Sequence, residues 1–226
     1  MAKTEIQKKP KFQTSETFFI SALLSLSGGL QDAYTYLLRG RVFANAQTGN
    51  IVLMSCDFME GEWYKGLRYF FPVLAFVSGV IVAEMIKRKF KKSRHVHWRQ
   101  IILVFEALIL ATVAFMPRSS NLLATMLVSY SCAMQVQAFT KVNGYRFATT
   151  MCIGNIRSGT ESFSAYVHEK KKENLHKAIL YYGVILFFAL GAALGGLISH
   201  SLGYKSILVS AFLLLAACAM MHKEKM

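Results

Sequence analysis

Apolar residues gather into six long blocks along the chain, at about residues 16–38, 67–87, 99–116, 121–140, 177–199 and 205–222. Each block is about 18–23 residues long, enough for a helix rising about 1.5 Å per residue to cross about 30 Å of hydrocarbon. With no water at that depth, the backbone must bond to itself, so the blocks predict helices. Two shorter stretches break the pattern. "ANAQTGNIVLM", Ala44 to Met54, sets a Thr-Gly-Asn turn before an apolar run, and "TTMCIGNIRSG", Thr149 to Gly159, does something similar. The run after the first turn makes a helix of about 16 Å, half a bilayer.

The two turns lie 105 residues apart, and other positions match at that offset. Ala33 pairs with Ala138, Tyr34 with Phe139, Thr35 with Thr140, Arg41 with Arg146 and Ile51 with Ile156. "FVSG" ending at Gly79 echoes "FALG" ending at Gly191, and Ala83 or Gly195 follows four residues later. The chain therefore reads as two halves of three spans, each with a short helix after a Gly-Asn turn. Three crossings per half is an odd number, so the halves lie in opposite orientations, as in many secondary transporters. The expected architecture is an all-α integral membrane protein of six transmembrane helices in two inverted three-helix repeats. Its expected divisions are a basic tail at 1–15, a first membrane repeat at 16–116, a second at 117–222 and a short tail at 223–226.

Composition agrees with the blocks: 54% of the 226 residues are hydrophobic and 17% charged. The net charge of +14 would suggest nucleic acid in a soluble protein. Here the basic residues lie between and outside the blocks, which makes them topology signals and excludes nucleic acid as the expected partner. The N-terminal tail, the link "KRKFKKSRHVHWR", the segment "HEKKKENLHK" and the tail "HKEKM" then all face the cytoplasm, N-in and C-in. The link from Lys87 to Arg99 also suits anionic lipid headgroups. Cys56, Cys132, Cys152 and Cys218 form no CxxC pair and accompany no histidine cluster, so neither metal nor disulfide is expected. The first apolar stretch runs past Gly28 to Leu38, too long for a typical signal-peptide core.

Acids inside the blocks are the main candidates for chemistry. Asp32 sits in the outer part of the first span and Glu106 near the middle of the third; Asp32 corresponds to Gln137 in the other half. A carboxylate at mid-bilayer costs several kcal/mol unless paired or hydrated, so each reads as a proton relay, a cation or solute contact, or an interhelical hydrogen bond. Thr48 and Asn50 are good N-cap types, and Gly49 permits a tight turn; Gly154 and Asn155 repeat the arrangement. A helix N-terminus there, with Arg41 or Arg146 just before it, would suit an anion; capping of a surface helix is the plainer reading. Gly29, Gly79, Gly191 and Gly195 are read as close helix-packing positions. No HExxH, GxSxG or P-loop is present. An enzyme and a nucleotide or metal cofactor are therefore not expected.

"GGLQDAYTYLLRGRVFANAQTGNIVLM" resembles the opening signature of the YoaK-type family of bacterial multipass membrane proteins, catalogued as a domain of unknown function. The resemblance extends over nearly the whole chain and includes a degenerate second copy, in which Ile153 stands where threonine would be expected. It implies a bacterial inner or plasma membrane and supplies no activity. From the residues, two functions are expected. One is a small secondary transporter or channel for a small polar or anionic solute. The other is a non-transporting membrane scaffold or regulator of a partner complex.

Overall fold

The computed structural model describes residues 13–91 and 97–221. Residues 1–12 of the basic N-terminal tail, residues 92–96 of the basic link after the second block and the C-terminal tail lie outside the described residues. Eight α-helices are found among the described residues: α1 (Phe18–Leu38), α2 (Gln47–Met59), α3 (Trp63–Phe90), α4 (Trp98–Ala114), α5 (Asn121–Ala138), α6 (Cys152–Glu169), α7 (Lys172–Leu202) and α8 (Ile207–Met221). The six apolar blocks coincide with α1, α3, α4, α5, α7 and α8, and the segments after the two turns are α2 and α6. α6 has 18 residues and is no shorter than α5. By length and composition, α3 and the continuous stretch Lys172–Met221 are apolar enough to cross a membrane.

A two-stranded hairpin, β1 (Lys141–Val142) and β2 (Tyr145–Arg146), precedes α6 and pairs Lys141 with Arg146 and Val142 with Tyr145. Asn143 and Gly144, both at positive φ, make its turn, as a two-residue hairpin requires. Sequence reading passed over this hairpin, although Asn-Gly is its usual signal.

The helix pairings have an internal correspondence. α1 packs on α7 and α8, whereas α5 packs on α3 and α4; α2 lies on α3 and α6 on α7; α4 meets α8. Exchanging α1–α4 with α5–α8 maps this set onto itself. Glycines set the closest crossings. A Cβ on Gly29 would strike the Phe188 carbonyl, one on Gly191 the Leu26 carbonyl and one on Gly79 the Tyr130 carbonyl. A Cβ on Gly195 would meet the Ala33 Cβ. All four glycines named from the sequence therefore sit where helix backbones touch, on α1–α7 and α3–α5. Such approaches gain van der Waals contact that lipid tails cannot supply.

The core is built from α1, α4, α5 and α8, with Leu24, Leu30, Ile102, Leu110, Val128, Met134 and Leu214 fully enclosed. Polar distribution is the reverse of a soluble bundle. Ser27, Gln31, Asp32, Glu106, Ser129 and Gln135 are buried, while Leu108, Leu186, Leu197 and Phe212 are exposed. An apolar exterior this extensive needs an apolar surround.

Gly191→Leu should displace α7 from α1 and destabilise the fold by about 1–3 kcal/mol, the usual range for overpacking. Gly154→Ala, inside α6 with nothing within 4 Å of the added atom, should raise stability slightly, by up to about 1 kcal/mol. Thermal aggregation followed by size-exclusion chromatography in detergent compares the two.

Candidate polar site in the helix core

The chain leaves α1 through a tight C-terminal turn. Gly40 and Arg41 both have positive φ, and the Arg41 N–H donates to the Tyr36 carbonyl at 3.1 Å. This Schellman closure explains the glycine. It also turns Arg41 outward, where it is exposed. The loop then folds back along α1. Asp32 Oδ1 accepts the backbone N–H groups of Ala44 (2.8 Å) and Asn45 (2.7 Å). Gln47 Nε2 donates to the Ala44 carbonyl at 2.7 Å and to Ser129 Oγ at 2.8 Å. Asp32 is thus a buried anchor for the loop backbone at Ala44 and Asn45.

Asn50 completes the loop by accepting from Phe43 N–H (3.0 Å) and donating to the Phe43 carbonyl (2.7 Å). In the second half, Asn155 donates to the Ala148 carbonyl at 2.6 Å and accepts from Ala148 N–H at 3.5 Å. Both asparagines clasp the residue seven positions back, and Phe43 and Ala148 are themselves 105 residues apart. The two turns therefore share a geometry as well as letters.

This geometry corrects several sequence expectations. α2 begins at Gln47 after Ala46, with no side-chain cap. Thr48 is exposed in its first turn, and Asn50 faces the loop. α6 likewise follows Met151 without a side-chain cap. The Gly-Asn turns are therefore loop clasps and do not cap either helix. Arg41, Arg146, Thr48 and Gly154 are exposed and do not converge, while Gly49 packs against the Phe43 ring. The two arginines therefore do not add their charge to the helix N-termini at the turns. Gln137 does not mirror Asp32's role: it donates to Glu84 on α3, which also holds Lys87 at 2.8 Å.

Asp32 and Glu106 do not pair. Glu106, with no exposed surface, receives Gln31 Nε2 at 3.4 Å and leaves Oε2 without a partner. Gln31 also donates to Ser27 Oγ (3.0 Å) and Ser210 Oγ (2.9 Å) and accepts from Cys132 Sγ (2.6 Å). α1, α4, α5 and α8 each contribute a polar group to this cluster. Sequence reading missed Gln31 because a lone glutamine beside an acid gives no periodic signal.

Two arginines close the ends of the bundle. Arg39, buried on α1's C-terminal side, donates to the carbonyls of Val113 (2.8 Å), Met116 (3.1 Å) and Pro117 (3.3 Å) and to Tyr34 Oη (2.8 Å). Its guanidinium lies 4.0 Å from the Tyr204 ring centre. The C-terminal carbonyls of α4 supply the negative end of a helix dipole in place of a carboxylate. Arg99 donates to the Ala138 carbonyl at 2.9 Å, ending α5, and pairs with Glu16 at 3.1 Å.

Polar groups enclosed by helices, inside an apolar exterior, define an all-α membrane protein. The family described as "Protein of unknown function (DUF1275)" matches residues 20–220. The chain belongs to this family, the YoaK-type family its opening signature resembles. A similar protein is the "UPF0700 transmembrane protein YoaK" of Bacillus subtilis (strain 168), 27% identical over 183 residues. That alignment covers 76% of this chain and 79% of the relative. No solved structure matches.

Asp32→Ala removes two charge-assisted bonds to loop backbone and should cost about 3 kcal/mol, whereas Asp32→Asn, which keeps an acceptor oxygen, should cost less. Asn50→Ala should destabilise more than Asn155→Ala, within about 1–3 kcal/mol, because its two loop bonds are both short. Denaturant midpoints in detergent rank all four variants.

Proposed function

We propose that this protein is a small secondary transporter or channel for a small polar solute, built as two inverted halves of three crossing helices each, N-in and C-in. The carrying observation is Glu106, enclosed at the meeting of α1, α4, α5 and α8 with one carboxylate oxygen unpartnered. A charge there costs several kcal/mol unless a proton or cation accompanies it, and buried acids of this kind commonly serve relays. The exchange of pairings between halves, and the two asparagine clasps at one offset, support the inverted repeat. In such repeats one half rocks against the other around a central site. The lack of converging basic groups at the turns favours a neutral or cationic solute over an anion. The basic residues Lys87, Arg88 and Lys89 at the end of α3 would then face the cytoplasmic leaflet and its anionic lipids.

Two measurements test this reading. Single-cysteine variants keep either Cys56, which is exposed, or Cys152, which is partly so. A membrane-impermeant thiol reagent on intact cells should label Cys56, and Cys152 only after permeabilisation. Labelling of both from one side rules out the inversion. In proteoliposomes loaded with a pH-sensitive dye, panels of small amines, amino acids and polyols should include one that changes lumenal pH. Glu106→Gln should reduce that signal more than tenfold while the protein stays monodisperse. A wild-type chain that moves nothing across the panel turns the assignment to the scaffold reading.

A further inference from the structure

Thr150, just before α6, lies against Gly28: its Cγ2 occupies the space that a Cβ there would need. Gly28 is the middle residue of α1, whose 21 residues rise about 30 Å, one hydrocarbon thickness. α6 therefore starts near mid-depth. Further along, Gly159 is closed against Tyr181 and Tyr182 of α7, and Thr160 and Tyr182 share a hydrogen bond at 2.9 Å. Lys170, at positive φ, then reverses the chain into α7. α6 thus runs beside the first part of α7 and returns to the end of the bundle where α7 begins. α2 starts at the same depth, since Asn45 Nδ2 donates to the Gly28 carbonyl at 3.2 Å, and it leads to the start of α3.

One stripe of α6 is apolar and open. Ile153, Ile156, Phe163 and Val167 are exposed, and with Thr160 they follow at steps of three and four residues, one helix face. Ile179, Tyr182 and Leu186 are exposed on α7 with the same spacing. The Thr160–Tyr182 bond joins the two stripes, so the α6 face continues an exposed flank of α7 that an apolar surround must cover. Beside the α6 stripe the helix is polar, with Arg157 and Glu161 paired at 2.9 Å and His168 exposed. A helix divided in this way rests its apolar side on acyl chains and turns its polar side to headgroups and water.

Cations collect where α6 and α7 meet. Lys170, Lys171 and Lys172, all exposed, make the turn between them. Lys141 and Arg146 stand directly opposite each other on the hairpin, both exposed. Like charges so placed repel, and among the described residues neither is in an ion pair. The hairpin is held to this end of α7. Tyr145 Oη donates to Glu173 at 3.3 Å, Lys177 Nζ lies 5.1 Å from the Tyr145 ring centre, and Tyr181 Oη donates to the Arg146 carbonyl at 3.0 Å. Glu173 and Glu169, which pairs with Lys171 at 2.9 Å, offset only part of the charge. The matching end of α2 differs: Asp57, Glu60 and Glu62 outnumber Lys65 and Arg68 there. Two segments alike in placement therefore end in opposite charge, and the α6 end is the one that complements an anionic surface.

We propose that α6, the hairpin and the first turns of α7 form a docking surface for anionic phospholipid. The acyl chains lie along the α6 stripe and the α7 flank, and the phosphate is met by Lys141, Arg146 and the lysines of the α6–α7 turn. Lipid is the occupant because the stripe runs into a flank already turned to the bilayer and has cations at its end. The site rests on the N-in orientation proposed above and is independent of transport.

The test uses the full chain in nanodiscs of phosphatidylcholine. Phe163→Trp places a fluorophore in the stripe, and its signal is the difference from the wild type, which carries Trp63 and Trp98. Brominated acyl chains, which quench tryptophan on contact, are introduced on phosphatidylglycerol or, at the same fraction, on phosphatidylcholine. The fraction needed for half-quenching should be about tenfold lower for phosphatidylglycerol, the effect expected of two cations near an anionic headgroup. Lys141→Gln with Arg146→Gln, both on the surface, should remove most of that preference. Arg88→Gln with Lys89→Gln, at the end of α3, should leave it in place. Equal quenching by the two lipids overturns the site. So does an equal loss in both double variants, which makes the attraction diffuse. Quenching by neither lipid shows the stripe covered by water or by a second copy and overturns the docking surface. Displacement of the lipid by soluble glycerol phosphate at the same headgroup concentration assigns a free-phosphate site in its place. None of these outcomes reads flux, and labelling of Cys152 from outside would refute the orientation without touching the lipid preference.

Discussion

The fold depends on meeting every backbone hydrogen bond inside an apolar surround. Helices do this by themselves, but this chain also carries two loops between buried helices. Where they turn inward, as at Ala44 and Asn45, the backbone is buried and side chains serve its N–H and C=O groups. Asp32 takes two loop N–H groups, Asn50 and Asn155 each clasp a backbone residue, and Arg39 and Arg99 close helix ends. Remove these and the loops must either open a path for water or leave the core.

The loops in turn position the polar interior. Holding Ala44 and Asn45 to Asp32 brings the Asn45 amide against Gly28. In the second half, the hairpin starts the return toward α1: Asn143 N–H donates to the Glu16 carbonyl at 2.6 Å, and Phe147 stacks on Tyr181 with ring centres 3.9 Å apart. Thr149 and Thr150 are carried inward behind it. Glycine makes this possible on the helix side, since Gly28 admits Thr150 and Gly29 admits α7. Through Gly28 and Gly29, α1 touches the second loop and the partner helix, and through Ser27 and Gln31 it reaches α4, α5 and α8.

Glycine crossings on α1–α7 and α3–α5 frame a polar interior centred on Gln31 and Glu106. The correspondence of the halves is one of contacts: α5 crosses α3 as α1 crosses α7, each at a glycine.

The sequence by itself determined the helices, because block length and apolar content answer directly to the bilayer and to the backbone's need for internal bonds. It also carried the 105-residue correspondence that brings Asn50 and Asn155 to like clasps, and Gly29, Gly79, Gly191 and Gly195 marked the close crossings. The hairpin was legible at Asn143-Gly144 and was overlooked. Which polar residues would meet was decided only by tertiary structure. Asp32 drew attention as a charge and became a loop anchor, and Thr48 lost its cap to a helix that begins one residue earlier. Gln31, Asn45, Gln135 and Thr150 looked like ordinary polar positions. A residue's hydrogen-bond partners across the bundle depend on helix rotation and crossing, and those are fixed by contacts between segments up to 183 residues apart, as Ser27 and Ser210 are.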